Sequence, residues 1–179
     1  MSQREFRLAG RFRRDQRGAA AAEFVLVLPL LIILMLTITD FGLYIYAGME
    51  VSTAAENAAQ AIYVTCAGTG NVPAAGNCSY AGAETAAAQH SPLGNRVRIR
   101  STTENYYCVN SSGTLVALSG TFPGNKAPDC TSVDASNNDS PGDYVVVTVS
   151  VTYRPAYSGF SLASMFAGPI TRTVWMRLA

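Results

Sequence analysis

Glu23 and Asp40 are the only acids between Ala19 and Tyr46, a stretch that also lacks arginine, lysine and histidine. A carboxylate in such surroundings does ion-pair chemistry rather than acid–base catalysis, because charge held away from water needs a cation or a set of hydrogen-bond donors. Two readings of Glu23 are open at the level of residues. It is an interfacial group steadied by the positive end of a helix dipole, or it is one half of a pair buried among helices.

Elsewhere the chain is poor in catalytic material. His90 is the sole histidine and stands beside Pro92, where it reads as a solvated loop residue. The glycine-rich stretch 68–76 lacks both the lysine and the strand-before-helix context of a phosphate-binding loop. No nucleophile elbow or close metal-ligand cluster is evident, so neither enzymatic activity nor a metal or cofactor is expected. Arg96, Arg98 and Arg100 alternate with Val97, Ile99 and Ser101. This two-residue period reads as the wet face of a strand whose charges discourage edge pairing, so no nucleic-acid partner is expected.

Cys66, Cys78, Cys108 and Cys130 are the remaining reactive groups, and all four follow the apolar run. An even count confined to one side of such a run points to disulfides in an oxidising compartment. Zinc sites favour close C-x-x-C pairs, which are missing here. Three pairings are open, of which Cys66 with Cys78 and Cys108 with Cys130 close the shortest local loops.

These residues must be positioned by a few elements. Phe24 to Thr39, with the apolar shoulder Phe41 to Ala47, is long enough as a helix to cover roughly 30 to 35 Å, a hydrocarbon core's thickness. Residues 1–18 carry six arginines against Glu5 and Asp15, whereas the whole chain is net +1, so the remainder is net negative. Basic residues just before a span predict a cytoplasmic N-terminus and an exported C-terminal part. A cleaved secretory signal fits less well, because Ile45-Tyr46-Ala47 lacks the small residues of its cleavage site.

The expected layout is a basic leader, 1–18, disordered over its first 16 residues; a helix, 19–65, spanning the membrane at about 24–47; and an exported α+β domain, 66–179. Met49 to Thr65 holds strong helix formers and no breaker, and Pro29 is tolerable inside a membrane helix. Gly68 to Gly82 reads as a loop and Ala83 to Gln89 as a short helix ended by Pro92. Strands are expected around Val97–Ser101, Tyr106–Asn110, Thr114–Leu118, Asp143–Tyr153 and Ile170–Leu178, giving an antiparallel sheet of four or five strands. Gly120 to Gly142 is a polar loop, and Phe160, Leu162, Met165 and Phe166 are expected to cap the core.

The segment Arg17-Gly18-Ala19-Ala20-Ala21-Ala22-Glu23-Phe24 resembles the processing site of type IV prepilins and pseudopilins. The longer run from residue 13, with Leu28-Pro29-Leu30-Leu31 in the span, Asp40-Phe41-Gly42 at its end and an alanine-rich helix after it, resembles the TadE-like family of the tight adherence (Flp) pilus. The resemblance implies a minor pilin or pseudopilin in the bacterial inner membrane, single-pass, with a periplasmic domain and a share in a surface pilus for adhesion or biofilm. It also implies prepilin peptidase, other pilins and the assembly platform as partners. Gly18 would precede the scissile bond, Ala19 would become the new N-terminus, Glu23 and Phe24 would set helix register, and Asp40 would close the span. Glu56, Asn57 and Gln60 stand where relatives often carry arginines. The domain is larger and richer in cysteine than short major pilins, which suits a minor, initiating or tip role. The same topology also suits an uncleaved periplasmic assembly or adaptor protein, and, as a further alternative, a tethered periplasmic ligand-binding or enzymatic domain.

Overall fold

The computed structural model describes residues 16–67, 70–157, 159, 165 and 168–179, and for 16–20 the backbone alone. The leader expected to be disordered lies outside these residues except at Gln16, as do Phe160, Leu162 and Phe166 of the expected core cap. Met165 is 82% exposed rather than buried.

Helix α1, Gln16–Cys66, is 51 residues long and continues through Pro29. Its described part already reaches three residues before the expected start at Ala19. Hydroxyls that would otherwise be orphaned in an apolar helix turn back on it: Thr37 Oγ1 donates to Ile33 O and Thr39 Oγ1 to Met35 O.

The chain divides into two compact units. One comprises the described residues up to Leu43 and those within Arg154–Phe166. Here residues 21–35 of α1 are exposed on every side, including Phe24, Leu26, Leu30 and Ile33. A helix apolar on every side from Phe24 to Met35, with those side chains exposed, suits lipid rather than water. Its length and composition fit a single-pass membrane protein.

The other unit runs from Tyr44 to Tyr153 and from Ala167 to Ala179. Its part of α1 buries Ala47, Val51, Ala54, Ala55, Ala58, Ala59, Ile62 and Cys66, a helical stripe made mostly of alanine. Small side chains let the helix approach the sheet closely. They pack with Val145, Val147, Val149, Val151 and Tyr153, the alternate residues of one strand. Tyr44 meets Tyr153 edge to face, with ring centroids 5.3 Å apart.

That sheet has four antiparallel strands in the order β2-β1-β3-β4: β1 Arg98–Val109, β2 Leu115–Ala117, β3 Gly142–Tyr153 and β4 Gly168–Arg177. The α+β class and the strand number are as expected. The two strands anticipated around Val97–Ser101 and Tyr106–Asn110 are in fact the single β1. A bulge between Ile99 and Ser101 also changes its parity: Ile99 faces Val149 before it, and Thr102 faces Val147 after it. From there on, Thr102, Glu104, Tyr106 and Cys108 point to the inner face of the sheet.

Helix α2, Ala81–Gln89, and the turn Ala74–Asn77 cover this polar inner edge. The long loop after β2 closes its far end with Tyr106, Cys108, Leu118 and Cys130, against which Phe122 packs. Within the loop, Asp129, Asp134 and Asn137 each accept a backbone N–H two residues on, so its turns are built from their own side chains.

Candidate functional site

Three constellations carry the polar chemistry: the N-terminal end of α1, Asp40 with its partners, and a set of carboxylates along the inner edge of β1.

Gly18 and Ala19 lie within α1, and Glu23 and Phe24 follow about one turn after Ala19. Both Glu23 and Phe24 are exposed among apolar neighbours. Glycine is the weakest helix former after proline. Unwinding the backbone at Gly18 therefore costs less than unwinding it at an alanine or a leucine.

Asp40, at the expected end of the span, is fully buried. Its Oδ1 accepts the Ala156 N–H at 2.9 Å and its Oδ2 the Tyr157 N–H at 3.3 Å. Both donors lie just after β3, in the same unit as Asp40. The acid thus ties the chain leaving the sheet to the helix, which satisfies a charge that would be costly in an apolar setting. No local sequence pattern signals this, because donor and acceptor are more than a hundred residues apart. Asp40→Asn replaces one acceptor oxygen by an amide NH2 facing an N–H, a loss of about 1–3 kcal/mol. Opening of this tie, read as chymotryptic cleavage after Tyr157, is expected to rise on the order of tenfold.

Disulfides join Cys66 to Cys78 and Cys108 to Cys130. The first fastens the end of α1 to the turn at Ala74–Asn77, and the second fastens β1 to the long loop.

The carboxylates on the inner edge of β1 escaped sequence reasoning. Glu84 of α2 is buried and accepts the Thr102 hydroxyl at 2.8 Å. Burial raises its carboxyl above the usual range, and the Thr102 hydrogen bond opposes that rise. Glu104 spreads its two oxygens over the N–H groups of Ala74 and Ala75, both at 2.6 Å. Asp143 of β3 is 2% exposed, and no N–H or hydroxyl donor reaches either of its oxygens. The available hint was the mismatch of Thr102 and Glu104 with a strand of otherwise alternating polarity. Reading it required the bulge at Arg100.

Other singled-out residues have local roles. His90 is exposed, with Nδ1 2.6 Å from Ala86 O at the end of α2. Arg100 Nε donates to Ser150 Oγ at 2.8 Å on the outer face of the sheet. Among the described residues, no group of three or more His, Cys, Asp and Glu is placed to hold a metal ion.

With this geometry in hand, comparison with known proteins returns one family. Residues 18–60 match the model of the TadE-like protein family. The match begins at Gly18, includes Glu23, Phe24 and Asp40, and ends inside the part of α1 that packs on the sheet. No curated protein and no solved structure matches the chain.

Proposed function

We propose that this protein is a minor pilin or pseudopilin of a tight adherence (Flp) pilus, made as a precursor and cut by a prepilin peptidase between Gly18 and Ala19. The observation that carries this reading is the TadE-like match over residues 18–60. Two features support it: the uncovered apolar turns after Phe24, and a disulfide-bonded domain following them. The protein is not itself an enzyme on this reading. It is the substrate of one and a structural component thereafter, with no cofactor.

The mechanism follows from the charges. In the inner membrane the arginine-rich leader stays cytoplasmic and the sheet domain lies in the periplasm. Cleavage removes the leader's positive charge and creates an ammonium on Ala19, one turn before Glu23. Ammonium and carboxylate are each costly in an apolar helix bundle and attract strongly when paired there. Pairing within one chain or with a neighbour sets axial register, while the apolar turns supply the packing. The cleaved chain then leaves the bilayer among other pilins on the assembly platform.

Glu23→Gln tests this directly, because it keeps size and polarity but removes the charge. Chain level in the membrane should be unchanged, while the amount recovered with sheared pili falls on the order of tenfold or more. Wild-type protein that never appears in sheared filaments or with the assembly platform would sink the pilin reading. It would favour a membrane-anchored adaptor.

A further inference from the structure

We propose that Asp143 and Glu104 form a proton-sharing carboxyl pair, a latch that holds the turn at Ala74–Asn77 in acid and slackens as the medium becomes alkaline. Asp143 lies opposite Tyr106, and Glu104 lies opposite Val145, so both carboxyl groups occupy one face of adjacent strands, two residues apart. The Asp143 backbone is pinned against the end of the chain. Its backbone N–H donates to Ala179 O at 3.1 Å, and its carbonyl accepts the Leu178 N–H at 2.8 Å, which fixes the strand beneath it.

The two acids are not equivalent. Glu104 already accepts two backbone N–H groups, and donors of that kind favour the ionised form. Asp143 is buried and has no donor aimed at either oxygen. A proton therefore belongs on Asp143, from which it donates to Glu104 and completes the set of hydrogen bonds. Burial first, then the charge of Glu104 and the hydrogen bond to it, raise the Asp143 carboxyl to about 7, with Lys126 pulling it down.

The other groups around the pair come from every neighbouring element. Tyr106 on β1 has its phenol raised by burial, then by Asp143 and Glu104. Lys126, from the loop, sits with Nζ 5.3 Å from the Tyr106 ring centroid. Tyr80, just before α2, is raised by burial, then by Glu104 and Glu84. Glu84 itself is occupied by Thr102. On β4, Arg177 directs its Nε to Ala179 O. Among the described residues Lys126 is the cation that pulls on Asp143, and it does not offset burial and Glu104.

The sign follows from the raised value. An unfolded aspartate loses its proton near pH 4, whereas the folded one keeps it to about 7. Between those limits the folded state binds more protons, so its stability falls as pH rises through the window and levels off above it. Above neutrality two like charges face each other. Relief comes by moving Glu104, which lets go of Ala74 and Ala75. That turn is closed by the Cys66–Cys78 bridge at the end of α1, so slackening it changes the surface next to the long helix without unfolding the sheet. The latch is a property of the folded domain. Only its exposure to external pH rests on the proposed periplasmic placement.

The test is amide hydrogen exchange on the full chain in detergent micelles, expressed as protection factors at about pH 5 and about pH 8.5. Protection of the Ala74 and Ala75 amides in the wild type should fall on the order of tenfold between the two. Asp143→Asn, whose amide donates to Glu104 at any pH, should keep high protection at both. Glu104→Gln should show low protection at both, which separates loss of the acceptor from loss of the proton. Flat protection in the wild type would overturn the proposal, even if the Asp143 variant fails to fold. So would a rise in wild-type protection on adding calcium at the higher pH, because the pair would then be a cation site. These outcomes do not depend on pilus assembly or on where the domain resides.

Discussion

Replacing Gly18 by leucine is expected to leave the chain at full length, with its arginine-rich leader attached and no protein in pili. Peptidases bind their substrates extended, so the helical backbone around Gly18 must open before the bond to Ala19 is reached. Glycine there lowers the cost of opening by about 1 kcal/mol relative to a strong helix former, and it leaves the approach to the carbonyl free of a side chain. Leucine reverses both effects. The consequence for assembly is electrostatic as well as covalent. Without cleavage no ammonium forms on Ala19, and Glu23 enters an apolar bundle alone, which breaking a buried pair shows to cost about 3–5 kcal/mol. Gly18→Ala should be intermediate, since it restores helix propensity with only a methyl group in the way. Intact mass of the membrane-extracted chain reads the result. Complete processing of the Gly18→Leu chain would place the cut elsewhere.

The second large effect is on the domain's stability. Removing the first bridge by Cys66→Ala with Cys78→Ala should cost about 3 kcal/mol, because the bonded loop restricts the unfolded chain. Removing Cys108–Cys130, which closes a sequence separation of 22 rather than 12, should cost about half a kcal/mol more on the same entropic argument. The two lesions differ in kind. The first frees the end of α1 from the turn whose amides sit on Glu104, so it should also lower exchange protection at Ala74 and Ala75. The second frees the long loop from β1 and should leave those amides protected. Urea midpoints of the oxidised wild type and each double variant, in the same detergent, measure both losses.

How far each feature was legible depends on whether its cause is local. The long helix was, since the alanine and leucine content of Val25–Thr65 acts residue by residue and Pro29 is the sole breaker to be explained away. β3 was legible for the same reason: five alternating branched or aromatic residues need one buried face. Loop length favoured the observed disulfides, although the sequence left three pairings open. β1 was split in two because Thr102, Thr103, Glu104 and Asn105 look like turn residues until their partners are known. Glu84 answers Thr102, and the Ala74 and Ala75 amides answer Glu104, all of them brought there by tertiary packing. Asp40 shows the same limit. Its place in the span suggested an interfacial charge, while its donors at Ala156 and Tyr157 lie on the far side of the whole sheet in sequence. Asp143 was invisible for a further reason, since nothing in a strand's pattern marks one acid as the holder of a proton.

What becomes of the N-terminal segment is read most directly from the N-terminus of the wild-type protein in its native membrane and pili. Mass spectrometry of the N-terminal peptide should find a chain that begins at Ala19, enriched in the pilus and platform fractions. A chain that still carries Arg17-Gly18 in every fraction would contradict the account, leaving α1 as a permanent anchor and Glu23 as an interfacial acid.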